Sequence, residues 1–211
     1  WDAVAQWCIK KIQNVGLPFL SSFLYNHNVN KTRPHFGKEE WSAFYLRIDE
    51  LLHQEGSEPL HQQQGFDTIS ANLVYLLGLQ KERYNIELAP SLVMRLVDSF
   101  LSRAKLIDHK TANNQTRLQL YQGCSNCCIG LVRSKLKHEV LLARILEMWK
   151  ERSDMMYLHG VNGKILTNYV LFAGLSECTD KTFSLALVDA MMRKDIEPPS
   201  YTVLPELCLS F

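Results

Sequence analysis

The chain has 211 residues, 46% of them hydrophobic and 21% charged, and a formal net charge of +1. That length supports a sizeable core in one large domain or two small ones, and the balance is ordinary for a soluble globular protein. No apolar run approaches the roughly 20 residues that cross a bilayer, so no membrane partner is expected, and no charged leader followed by an apolar core opens the chain.

Trp1, Val4, Ala5, Cys8 and Ile12 recur at helical spacing and predict a first helix, ended by Gly16-Leu17-Pro18. Asn26 through Gly37, with Asn28, Asn30 and Pro34, reads as a polar loop. Trp41, Phe44, Tyr45, Ile48, Leu51 and Leu52 form the stripe of a helix that starts near Lys38 and closes at Gly56-Ser57-Glu58-Pro59. The run Gln62-Gln63-Gln64 before Gly65 reads as loop. Asp67 or Thr68 then caps a helix running to about Arg83, and Pro90-Ser91 starts another with Ser91 as its cap. Its stripe is Leu92, Val93, Leu96, Val97, Phe100 and Leu101. After a polar joint over residues 108–115, the apolar region Leu118 to Trp149 reads as two helices, because Gly123 and Gly130 weaken a continuous one. Alternation never persists and glycine-rich strand-to-helix turns are absent, so the expected class is all-α.

From Leu166 to Tyr201 the sequence takes a more particular form. Thr167-Asn168-Tyr169 opens a helix that continues through Leu171 and Gly174-Leu175 to a break at Cys178-Thr179. Ala186-Leu187-Val188 and Met191 follow, then Lys194-Asp195-Ile196-Glu197-Pro198 and a restart at Tyr201-Thr202-Val203. Thirty-five residues earlier, Val161 and Gly163 stand where Ile196 and Pro198 do, and Met156 where Met191 does; Asn85 to Ser91 looks like another hairpin end. This pattern resembles a pentatricopeptide-type helical hairpin over about residues 154–203, and more weakly from 84. The resemblance implies an α-solenoid-like array of antiparallel hairpins from 84 to 211, behind a less regular helical cap over 1–83. It is expected to be one continuous fold and a piece of a longer protein. One hairpin cannot bury its apolar face alone, so Phe172, Leu175, Leu185, Val188 and Met191 are expected between stacked layers.

Proteins of that family typically bind single-stranded RNA sequence-selectively, often in mitochondria or plastids, reading bases with polar residues at two positions per hairpin. Those positions correspond here to Tyr169 and Pro199, neither a usual polar reader. Tyr169 retains the capacity to stack on a base, a contact worth roughly 1–3 kcal/mol in single-strand binders.

Charge is unevenly spread. Residues 1–102 carry nine Lys or Arg against eleven Asp or Glu, 103–152 carry ten against four, and 153–211 carry four against seven. Only the middle third has a nucleic-acid-like surplus, and a solvated helical face accounts for such a bias equally well. An RNA footprint would therefore draw on Arg133, Lys135, Lys137, Arg144 and Lys164, with Tyr169 stacking.

Six cysteines, at 8, 124, 127, 128, 178 and 208, suit reduced thiols in an intracellular compartment, cytoplasmic or nuclear, or mitochondrial if the chain binds RNA. Cys124, Cys127 and Cys128 are the only candidate metal ligands, and they lack the four-ligand spacing of a zinc site; small buried core residues are the simpler reading. Cys127 or Cys128 with Cys178 would be the acid/base pair of a cofactor-independent racemase, a distant third reading for a chain without strands. The expectation is a non-catalytic interaction module, ranked first as a protein-protein scaffold in a larger assembly and second as a single-stranded RNA binder. No cofactor, metal or small-molecule substrate is expected.

Overall fold

The computed structural model describes residues 6–7, 10–29, 37–55, 68–86, 88–108, 111–151 and 160–193. Among these residues there are eight α-helices and no strand: α1 (Leu17–Val29), α2 (Lys38–Glu55), α3 (Ile69–Tyr84), α4 (Pro90–Ala104), α5 (Asn114–Ser134), α6 (Glu139–Glu151), α7 (Gly163–Leu175) and α8 (Lys181–Arg193). A short 3-10 turn, Ile12–Asn14, precedes α1.

α1 lies where the sequence suggested a stop and then a loop. Pro18 falls in its first turn, where no intrahelical N–H is required, so it permits a start rather than forcing an end. Leu17, Leu20, Phe23, Leu24 and His27 then bury one helical face. Phe23 stacks on Phe44 of α2 with ring centres 5.2 Å apart, and the His27 ring stands edge-on to Trp41 at 5.8 Å. Asn26 is held inside the helix by a 2.9 Å bond from its side-chain amide to the Ser22 carbonyl. Of the expected first stripe only Ile12 lies within the described residues, and it is buried.

Helix ends are set locally. Asn113, Asn162 and Asp180 each accept a backbone N–H three residues on, at 2.8, 3.1 and 3.0 Å, opening α5, α7 and α8. His138 does the same for α6 through Nδ1, at 3.2 Å from the Leu141 nitrogen, while its Nε2 lies 3.3 Å from Asp98. The cap of α4 is Ala89, so Ser91 is the second helical residue rather than the cap. Thr68 precedes α3 without a side-chain capping bond. α3 and α5 close on Asn85 and Lys135, both left-handed with φ of 51° and 57°.

The region Leu118 to Trp149 does form two helices, but the division falls at residues 135–138. Gly123 and Gly130 sit within a continuous α5, where they serve packing. A Cβ on Gly78 of α3 would lie 2.8 Å from the Gly130 Cα and carbonyl oxygen, and one on Gly130 would strike the Val74 carbonyl. A Cβ on Gly123 would meet the buried Phe100 ring at 2.5 Å. Missing side chains thus let α3 and α4 close on α5, and this gain outweighs the loss of roughly 1 kcal/mol of helix propensity per glycine.

The odd-numbered helices adjoin in chain order: α1 on α3, α3 on α5, α5 on α7. Of the even-numbered ones, α2 packs on α1 and α4, α4 on α3 and α5, and α8 on α7. Trp149 of α6 meets Phe183 of α8 edge-on at 5.6 Å. The expected boundary between 83 and 84 falls at the end of α3, and the helices on either side pack together. One core runs through all of them, with the six-residue stripe of α4 entirely buried.

The hairpin expected after residue 166 corresponds to α7 and α8, with the break at residues 176–180. α7 opens at Gly163 rather than Thr167 because Asn162 supplies the cap. The stretch read as another hairpin end falls between α3, which ends at Tyr84, and α4, which begins at Pro90. Met156, Lys194 to Pro198, Pro199 and Tyr201 to Val203 lie outside the described residues.

Candidate functional site

The basic residues of the middle third do not gather on one face as ligand-ready cations. Arg144 donates to Glu147 at 2.6 Å with its side chain only 13% exposed. Lys137 pairs with Glu177 at 2.5 Å, and that hydrogen bond lowers the Glu177 carboxyl below its usual range. Lys135 occupies the left-handed cap of α5. Arg133, the last-turn cation of α5, reaches back to Glu82 of α3 at 2.7 Å.

Tyr169 corrects the stacking expectation. It is 2% exposed and its hydroxyl donates to the Tyr121 carbonyl at 2.9 Å, so it ties α7 to α5 inside the core. The helical period explains why: Ile165, Leu166, Tyr169, Phe172 and Ala173 share the buried face of α7. Among the expected layer residues, Phe172 and Met191 are buried, and Leu175 and Val188 are half-buried. Leu185 is corrected: at 64% exposed it lies outside any layer, on the same side of α8 as exposed Met192, seven residues later.

The cysteines sit deep in α5. Cys124, Cys127 and Cys128 are free and fully buried, and Cys178 is half-buried in the α7–α8 turn. Burial pushes the Cys124 thiol up to about 12, and it raises Cys127 and Cys128 well above their ordinary value, with repulsion from neighbouring thiols adding to it. Thiols held protonated and away from water are poor nucleophiles and poor metal ligands. Among the described residues no group of three or more His, Cys, Asp or Glu is placed to hold a metal ion. No helix of these residues is long and apolar enough to cross a membrane.

What the packing does assemble is a groove of about 730 Å³ across the four odd-numbered helices. α1 contributes Tyr25 and Asn26; α3 contributes Asn72, Tyr75 and Arg83; α5 contributes Gln122 and Asn126; α7 contributes Lys164. The residues from α1, α3 and α5 each recur at helical spacing, with Lys164 the single contribution of α7. Leu76 and Leu79 close the floor, and no lining residue is acidic.

The amides are joined. Gln122 donates to the Asn126 side-chain oxygen at 2.9 Å, Asn126 to Asn72 at 2.8 Å across the helix interface, and Asn72 approaches the Thr68 hydroxyl at 3.5 Å. Such a chain fixes side-chain orientation while each amide keeps a further hydrogen-bonding capacity toward the groove. Beside it, the Lys164 ammonium lies 5.0 Å from the Tyr75 ring centre and the Arg133 guanidinium 5.2 Å, both within cation–π range. The arrangement offers hydrogen-bond donors and acceptors, two tyrosine surfaces and a positive end.

Of the six expected RNA contacts, the structure thus brings only Arg133 and Lys164 together, on Tyr75. The sequence reading missed Tyr25, Asn26, Asn72, Tyr75, Arg83, Gln122 and Asn126. Their signal was a short polar set on the non-core face of every second helix, meaningful only once those helices are known to adjoin. The chain matches no family model, no curated protein and no solved structure.

Proposed function

We propose that the chain is a non-catalytic interaction module, built as an α-solenoid-like array of hairpins, whose groove across the odd-numbered helices holds single-stranded RNA. The solenoid reading is supported by the serial order α1, α3, α5, α7, the order that stacked hairpins produce when each buries its apolar face on the next. One observation carries the ligand reading: the groove lining combines linked amides, two tyrosines and two cations, and contains no acid. Unstacked bases need hydrogen-bonding edges and aromatic surfaces, and their backbone needs positive charge.

A salt titration with a randomised pool of single-stranded RNA tests the reading. Binding should weaken linearly on a log–log scale as salt rises. Absence of binding even at low salt sinks it. The second reading, a protein-protein scaffold, is favoured by Leu185 and Met192, both exposed on α8. For that reading, replacing both with polar residues should abolish capture of a protein partner and leave RNA binding intact.

A further inference from the structure

Resting on the RNA reading, we infer that the Tyr75 end of the groove is a seat for one backbone phosphate, formed by Lys164 over the Tyr75 ring and backed by Arg133. Three helices converge there. Tyr75 lies on the groove face of α3, Lys164 enters from the start of α7, and Arg133 arrives from the end of α5.

The electrostatics favour an anion at this place. Lys164 occupies the first turn of α7, the positive end of the helix dipole, where a cation is disfavoured and an anion welcome. Arg133, on the same ring, is answered by Glu82, a carboxylate that is itself more than half exposed and does not line the groove. The groove therefore presents the Lys164 ammonium from α7 with no carboxylate among its lining residues. A phosphodiester carries one negative charge and acceptor oxygens only, which matches ammonium and guanidinium donors. The adjoining amides both donate and accept, which suits them to base edges as well.

The division of labour follows. The phosphate contact positions the strand without reading sequence, leaving the flanking bases for the amide chain at Asn72 and Asn126 and for the exposed ring of Tyr25.

The test uses the full chain and a randomised single-stranded RNA pool, comparing the unsubstituted protein with Lys164→Gln, Tyr75→Leu and Lys137→Gln. Lys164→Gln should weaken binding several-fold and reduce the slope of log affinity against log salt by about 0.7, the value for one phosphate on a single strand. Lys164 is surface-exposed and disfavoured by its helix end, so this variant should melt no lower than the parent. Tyr75→Leu should weaken binding similarly, whereas Lys137→Gln, on the Glu177 pair, should leave both affinity and slope unchanged. If RNA binds but Lys164→Gln keeps the parental slope, or Lys137→Gln lowers it equally, the seat is overturned and the RNA reading survives. If the unsubstituted chain binds no RNA, both fall.

Discussion

The run from Arg133 to Arg144 and the groove across the odd-numbered helices make opposite impressions in sequence and in space. The first is dense in positive charge along the chain, yet folding disperses it. Arg144 and Lys137 are engaged with Glu147 and Glu177, and Lys135 serves a helix end. The second is invisible as a run, because its members are up to 143 positions apart, from Ser21 to Lys164, yet helical spacing delivers them to one surface. Charge counted along a helical chain is a weak guide to where charge acts. A side chain's turn of helix decides its neighbours more than its position in the chain does.

This contrast can be broken by attacking the groove's support rather than its lining. Gly130→Ala drives a methyl group into the Val74 backbone, an obstacle that no rotamer change relieves. It should lower stability by about 3 kcal/mol or more, at the upper end of overpacking costs, read as a fall in the urea midpoint. RNA binding should be lost with it, although every basic residue remains. A variant of parental stability would show that α3 and α5 do not meet at these glycines.

A smaller effect concerns the thiols on the inner side of α5. Their raised values mean that the folded state resists ionisation up to about 12 for Cys124, whereas an unfolded thiol ionises near 9.0. Stability from this source is complete below pH 9 and declines as pH rises from there toward the folded value. Maleimide labelling followed by peptide mapping at pH 8 should leave Cys124, Cys127 and Cys128 unmodified until denaturant is added, while Cys178 reacts in the native protein. Rapid native labelling of the α5 thiols would contradict their burial.

Smallest of all should be changes in the basic run itself. Lys135→Gly relieves a left-handed backbone and should raise stability by up to about 1 kcal/mol, with RNA affinity altered less than two-fold. A large loss of affinity on that substitution would return the binding surface to the run.

Much of the fold was legible because apolar periodicity survives without tertiary knowledge. The stripe of α4 is wholly buried, and α2 starts at Lys38 and ends at Glu55 as its flanking residues indicated. α1 was missed because Pro18 was read as a stop and Asn26 and Asn28 as loop, when proline is equally at home in a first turn. Gly123 and Gly130 were read as local weaknesses of α5. Their value is nonlocal and appears only when Val74, Gly78 and Phe100 are placed against them. Tyr169 was misread for the same reason: its position on α7 was known, but which face of α7 meets α5 was not. The groove was the least legible part, since each helix contributes between one and four polar residues to it.

The meeting of Gly78 with Gly130 also has a mechanical side. Backbone against backbone leaves no side chain between α3 and α5 to change rotamer, so this pair has little means of yielding gradually. Bending must then concentrate at joints where side chains intervene, leaving the stretch of the groove where Asn72 of α3 meets Asn126 of α5 as its stiffest part.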